Sequence, residues 1–281
     1  MFDFLAAWSK LKVGYKYEII NGIGFFTLPA FSATSLVRHG FTARCGGISK
    51  GPYSTLNLSF SRDDEPYENV LENYRLFADA ADIDWDTMVM DSFEHGINII
   101  PVGERHKGAG YLKPPLPPCD GLITNNADIT LITGHADCLP IYFLDTEQLC
   151  IGLVHAGWKG TLNKICLNAI RLMQLRYNAK PTHLLAGIGP CICRNCFEVS
   201  SDLGERFALE YPGIPCVDKA KAGKAHVDLA MVTVAQCLEG GLLPENISYA
   251  DVCTFEDERR LYSYRRDSGN TGGMAAYIKL A

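Results

Sequence analysis

Two short segments flanking one predicted hairpin constrain this chain more than any other feature. They read HADCLP at residues 135–140 and VHAGWKG at residues 154–160. Between them lie the apolar runs IYFL (141–144) and LCIGLV (149–154), separated by the turn-like Asp145-Thr146-Glu147-Gln148. An antiparallel hairpin closed by that turn sets Leu144 against Leu149, and counting back sets Cys138 against His155. Cross-strand partners lie about 4.5–5.5 Å apart at Cβ and share one face of the sheet. A thiol and an imidazole at that spacing can share a metal ion or act as nucleophile and base, and both residue types also occur simply packed in a core. Pro140 argues against an unbroken ladder, because proline donates no ladder hydrogen bond.

Ala156-Gly157-Trp158-Lys159-Gly160 leads into a helical pattern, with Leu162, Ile165, Cys166, Ala169, Ile170 and Met173 on one stripe. His155 therefore ends a strand just before glycines and a helix N-terminus, a position where sites are commonly built.

The rest of the chain supplies a core and few distractions. With 281 residues and 47% hydrophobic content it can bury a sizeable interior. A formal charge of −6 argues against a nucleic-acid backbone as partner, whereas a small anion needs only a local cluster of donors. No apolar run approaches the roughly 18–20 residues of a membrane span, so no membrane partner is expected. The first residues lack a basic start and a long apolar stretch, and a cytoplasmic protein is expected. Eleven cysteines, an odd number scattered along the chain, favour reduced thiols over a disulfide framework. Cys191-x-Cys193-x-x-Cys196 reads as ordinary thiols at a loop, since one CxxC without a second pair does not complete a four-ligand metal site.

Strands and helices mix along the chain. Helices are predicted over 65–82, 200–210 and 228–239, and strands over 37–44, 121–124, 183–189, 247–253 and 275–280. Two more strands flank the polar stretch Asp91–His95 within 87–102, and 219–224 reads as a lysine-rich surface loop. Hairpins are common and no regular βαβ alternation appears. The expectation is an α+β fold of mixed, largely antiparallel sheets packed with helices, as a single domain over 1–281.

Several segments then carry a resemblance to a known family. They are HGFTARCGGISKGPYSTLNL (39–58), EHG (94–96), CDGLIT (119–124), ADCLPI (136–141), HAGWKG (155–160), GIGPCI (187–192) with FEV (197–199), DVCT (251–254), and SYRRD (263–267) with TGGM (271–274). In this order they resemble the YfiH-type laccase-domain, or polyphenol-oxidase, family of zinc-dependent purine nucleoside phosphorylases. The resemblance implies a metal site of His95, Cys138 and His155, adding a third ligand to the hairpin pair. Three protein ligands with an open position suit a catalytic Zn²⁺, and the same donors accept copper. The implied substrates are a purine nucleoside (adenosine, inosine or 5′-methylthioadenosine) and phosphate, with adenosine deamination as a side activity.

Arg44, beside Gly46-Gly47, offers a guanidinium for phosphate, and Asn57 an amide for ribose hydroxyls. Asp137, adjacent to Cys138, would point to the opposite face of a regular strand, which suits a supporting role. Two residues depart from the family pattern. Phe93 stands where a glutamine is usual, and Gly273 where an arginine is usual. Three rival readings stand beside the phosphorylase. One is a metal-free cysteine hydrolase using Cys138 and His155, another a copper-dependent phenol oxidase, and the third a non-enzymatic protein with a structural zinc. Seven histidines over the whole chain fit a multicopper centre poorly.

Overall fold

The computed structural model describes residues 3–281. The predicted hairpin forms the middle of a seven-stranded sheet. In spatial order its strands are Lys12–Val13, Ile247–Tyr249, Leu184–Ile188, Leu139–Asp145, Cys150–Ala156, Gly121–Thr124 and Ile99–Pro101. Both hairpin strands are buried along their whole length. This explains why their sequences are continuous apolar runs rather than alternating ones: each face is covered. Ile141, Phe143 and Val154 pack with Ile170, Met173 and Val234 of the helices Ile165–Tyr177 and Leu229–Glu239. Tyr142, Leu144, Ile151 and Leu153 pack the other way, with Phe41, Leu131, Met274 and Ile278.

Those last four residues belong to a six-stranded sheet, ordered Lys16–Ile20, Ile23–Thr27, Val37–Thr42, Met274–Leu280, Thr130–His135 and Met88–Met90. The α+β expectation holds, with antiparallel pairs dominating and parallel pairs at sheet margins, as between Met88–Met90 and Thr130–His135.

The hairpin register differs from the expected one by two residues. Leu144 pairs with Ile151, and His155 with Pro140 rather than Cys138. The four-residue loop is Thr146–Leu149 rather than Asp145–Gln148: Asp145 pairs with Cys150 while its Oδ1 accepts from the N–H groups of Glu147 and Gln148, each at 2.9 Å, and Leu149 takes a left-handed φ of 47°. Side chains alternate with a period of two, so an even slip leaves every residue on its expected face. Cys138 and His155 stay on the same side for that reason.

Helix ends follow local chemistry. Pro66 precedes Tyr67–Ala81, Asp228 caps Leu229–Glu239 by accepting from the Met231 N–H, and Ser200 caps Ser201–Glu210. The stripe after the hairpin is broken in two, Trp158–Leu162 and Ile165–Tyr177, by Lys164 at φ 65°. The region 219–224 is more ordered than a plain loop: it turns between Val217–Lys219 and Lys224–Val227, which join Glu198–Ser200 in a three-stranded sheet. Strands of three or four residues are too short for their alternation to stand out in a sequence reading. Among the described residues, no helix is long and apolar enough to cross a membrane.

The strands predicted within 87–102 are Met88–Met90 and Ile99–Pro101, and they lie in different sheets. Residues 91–98 therefore cross from one sheet to the other. This crossing carries His95 to the ends of the hairpin strands.

Candidate metal centre

One ligating atom from each of His95, Cys138 and His155 lies within 4.8 Å of the other two. Each arrives by a different route. His155 is the penultimate residue of Cys150–Ala156 and is buried. Cys138 immediately precedes Leu139–Asp145. His95 comes from the crossing segment with a left-handed φ of 62°, and is exposed.

A buried carboxylate organises the two histidine arrivals. Asp120, wholly enclosed, accepts from His155 Nδ1 at 3.0 Å and from the backbone N–H groups of His95 (2.9 Å) and Gly96 (2.8 Å). Its own carbonyl accepts from the His155 N–H at 2.8 Å. One side chain thus fixes the ring of one histidine and the unusual backbone of the other. With Nδ1 occupied, His155 has Nε2 left for the cluster, an arrangement typical of metal-binding histidines. Burial opposes ionisation of Asp120, but the His155 ring and the Gly96 and Glu94 amides prevail and hold it below the usual carboxylate range.

The thiol is similarly tuned. Burial pushes the Cys138 thiol up, yet the His155 and His95 imidazoles outweigh it and bring it down to about 7. A thiolate accessible near neutrality is what metal ligation or nucleophilic attack requires. Gly157 keeps the space open, since a Cβ there would lie 3.0 Å from His95 Cδ2 and 3.3 Å from Cys138 Sγ. His135, whose ring is 5.2 Å from that of His155, is not available as a ligand. Its nitrogens are engaged by Thr133 Oγ1 and the Cys138 carbonyl.

Phe93 forms one wall. Its ring centroid lies 4.8 Å from that of His155 and 5.5 Å from that of His95, and the side chain is 43% exposed. The residue at the usual glutamine position therefore presents an aromatic face beside the ligands. Asp137, at φ 89°, accepts from Thr254 Oγ1 (2.6 Å) and the Arg265 N–H (2.7 Å), and its carbonyl from the Ile192 N–H (3.0 Å). It ties three loops to the residue before Cys138.

Among the described residues, neither Arg44 nor Asn57 hydrogen-bonds to the three clustered side chains. Arg44 donates through Nε and Nη2 to the Ser54 carbonyl and through Nη1 to that of Glu258, and lies 4.4 Å over the Tyr262 ring. Asn57, expected as a ribose contact, packs inside the protein. It has no exposed surface, and its Oδ1 accepts from the N–H groups of Ser59 and Gly273, so it fastens two loops together. Gly273 has a steric reason: a Cβ there would sit 2.8 Å from Ser59 Cβ. Asp120 was missed in the sequence although it lies inside the CDGLIT segment. Its role depends on contacts 25 and 35 residues away along the chain, which no local pattern marks.

The donor set fits a borderline-soft divalent ion. One thiolate and two imidazoles converge within 4.8 Å, and Zn²⁺ bonds of about 2.0–2.3 Å need donors roughly 3.5 Å apart. Together, the packed sheets and this two-histidine, one-cysteine group define an α+β protein with three side chains that could hold a metal ion. Residues 38–281 match the family described as "Multi-copper polyphenol oxidoreductase laccase", and the chain belongs to it. A purine nucleoside phosphorylase of Deinococcus radiodurans is 35% identical over 90% of this chain and 93% of its own length. Purine nucleoside phosphorylase YlmD of Geobacillus stearothermophilus is 32% identical over 85% of this chain and 88% of its own. The crystal structure of YlmD from Geobacillus stearothermophilus superposes with a TM-score of 0.88 at 30% identity, covering 95% of this chain and 98% of that one.

Proposed function

We propose that this protein is a zinc-dependent purine nucleoside phosphorylase. It would cleave adenosine or inosine with phosphate to the free base and ribose 1-phosphate, accept 5′-methylthioadenosine, and deaminate adenosine more slowly. The observation that carries the reading is the Asp120-organised cluster of His95, Cys138 and His155 in a chain whose relatives are named for this activity.

In such a reaction a phosphate oxygen bonds to ribose C1′ as the C1′–N9 bond breaks. The bonding pair leaves with the purine, which takes up a proton. The chain's own residues serve this in distinct ways. Cys138 and the two histidines would hold the Zn²⁺, whose chemistry when bound is that of a Lewis acid. Asp120 holds His155 Nδ1 in a hydrogen bond, which would leave Nε2 to face the ion. Phe93 offers a flat apolar face on which a purine would stack.

Arg44 remains the proposed phosphate contact. Three of its five N–H donors are committed to Ser54 and Glu258, which holds the guanidinium still, and two remain.

The test is product analysis with zinc-loaded protein, adenosine and phosphate. Adenine and ribose 1-phosphate in equal amounts, formed only with phosphate, support the reading. Absence of free base at protein concentrations that would reveal a few turnovers overturns it. Turnover that survives complete removal of metal would instead favour Cys138 as nucleophile with His155 as base.

A further inference from the structure

A second group of metal-binding side chains lies outside the site described above. Cys193, Cys196, Cys253 and Glu256 each direct one ligating atom into a common volume, all within 4.8 Å of one another. The sequence delivers them as two similar short spacings, Cys193-x-x-Cys196 and Cys253-x-x-Glu256, separated by more than fifty residues. The first spacing alone falls short of a site; the fold supplies the missing half.

The two turns are formed and joined by backbone contacts. The Cys193 carbonyl accepts from the N–H groups of Cys196 (3.1 Å) and Phe197 (2.9 Å), and that of Cys253 from the Asp257 N–H (3.1 Å). Between the turns, the Cys191 N–H donates to the Val252 carbonyl and the Thr254 N–H to that of Cys191, both at 3.1 Å. The Cys193 N–H also donates to Cys253 Sγ at 3.3 Å. Glu256 Oε1 lies 3.8 Å from Cys193 Sγ and 3.6 Å from Cys196 Sγ. Those separations are near the roughly 3.5 Å edge of a tetrahedron built on Zn–S and Zn–O bonds.

We infer that Cys193, Cys196, Cys253 and Glu256 form a second, structural Zn²⁺ site. Four protein ligands fill a tetrahedral sphere and leave no position for substrate. Three thiolates and a carboxylate around Zn²⁺ carry a net charge of −2, and Arg265, which donates to the Cys196 and Glu198 carbonyls, stands beside it. Glu256 is exposed, which gives the ion a way in.

The position gives the site a purpose. Ile192, next to Cys193, and Thr254, next to Cys253, both hold Asp137, the residue before Cys138. Clamping the two turns braces the backbone that presents the catalytic-site thiolate.

The experiment is a metal count on the full chain, purified with reductant and zinc and freed of loose metal. Wild type should carry two zinc ions per chain, Cys196→Ser one, Cys138→Ala one, and the double variant none. Zinc X-ray absorption on wild type supplies a readout that needs no variant to fold. One sulfur from the first site and three from the second average two per zinc, against one if only the first site is filled. Cobalt-loaded Cys138→Ala should retain a thiolate-to-metal charge-transfer band, because its sulfur can come only from the second site. A single zinc in wild type that vanishes in Cys138→Ala overturns the inference. So does a sulfur average of one, or a Cys193–Cys196 disulfide in the reduced preparation. Failure of phosphorolysis leaves this count untouched, so the two readings fall separately.

Discussion

The two clusters use cysteine in opposite ways. At His95, Cys138 and His155, a single sulfur works beside two imidazoles, and a buried carboxylate orders the surroundings. At Cys193, Cys196, Cys253 and Glu256, three sulfurs and a carboxylate occupy two backbone turns, and no imidazole takes part. Three ligands leave a coordination position for chemistry, whereas four close the sphere. The difference teaches where each site's strength is stored. The first depends on long-range side-chain support, chiefly Asp120, while the second depends on turn geometry supplied by its own backbone.

Replacing Cys138 with Ala should have the largest effect. Phosphorolysis and one bound zinc should disappear together, as measured by product release and metal analysis on the same sample. Loss of activity with full metal retained would break the comparison, because Cys138 would then be a nucleophile rather than a ligand.

Asp120→Asn comes next. An amide cannot accept from His155 Nδ1 and both backbone N–H groups without turning a donor toward them. Metal affinity at the first site should fall about 10- to 100-fold, measured by competition with a chromogenic chelator. The second site should be unaffected, and a drop at both would contradict their independence. Chelation should also separate the sites in time. Excess chelator should remove the open three-ligand ion first and abolish activity while the four-ligand ion remains.

The smallest effect tests the link between the clusters. Thr254→Val removes the hydroxyl that donates to Asp137 and should cost about 1.5–3 kcal/mol of stability, read from denaturant unfolding. Activity should fall moderately with both zinc ions still bound. An unchanged unfolding midpoint would show that the bracing of Asp137 is idle.

What could be read in the sequence divides along the same line. Periodicity reveals elements whose faces are covered, so the hairpin, the helix Tyr67–Ala81 and the strand Met274–Leu280 were visible. Parity survived a register error because strand faces repeat every two residues, which is why Cys138 and His155 were rightly paired on one side. The register itself depended on a left-handed Leu149 and an Asp145 side chain turned onto its own loop, neither of which alternation encodes. Asp120 and Glu256 matter through contacts made by chain reversal, and the strands around 198–227 are only three or four residues long, too short for their alternation to stand out.

Phosphorolysis is proposed to run at a metal held by His95, Cys138 and His155. Its most direct test is to strip the protein of metal, add zinc back in steps, and follow base release from inosine with and without phosphate. No release is expected from the stripped protein, with recovery that rises with zinc bound at the Cys138 site and requires phosphate throughout. Full release by metal-free protein, or release indifferent to phosphate, would contradict it.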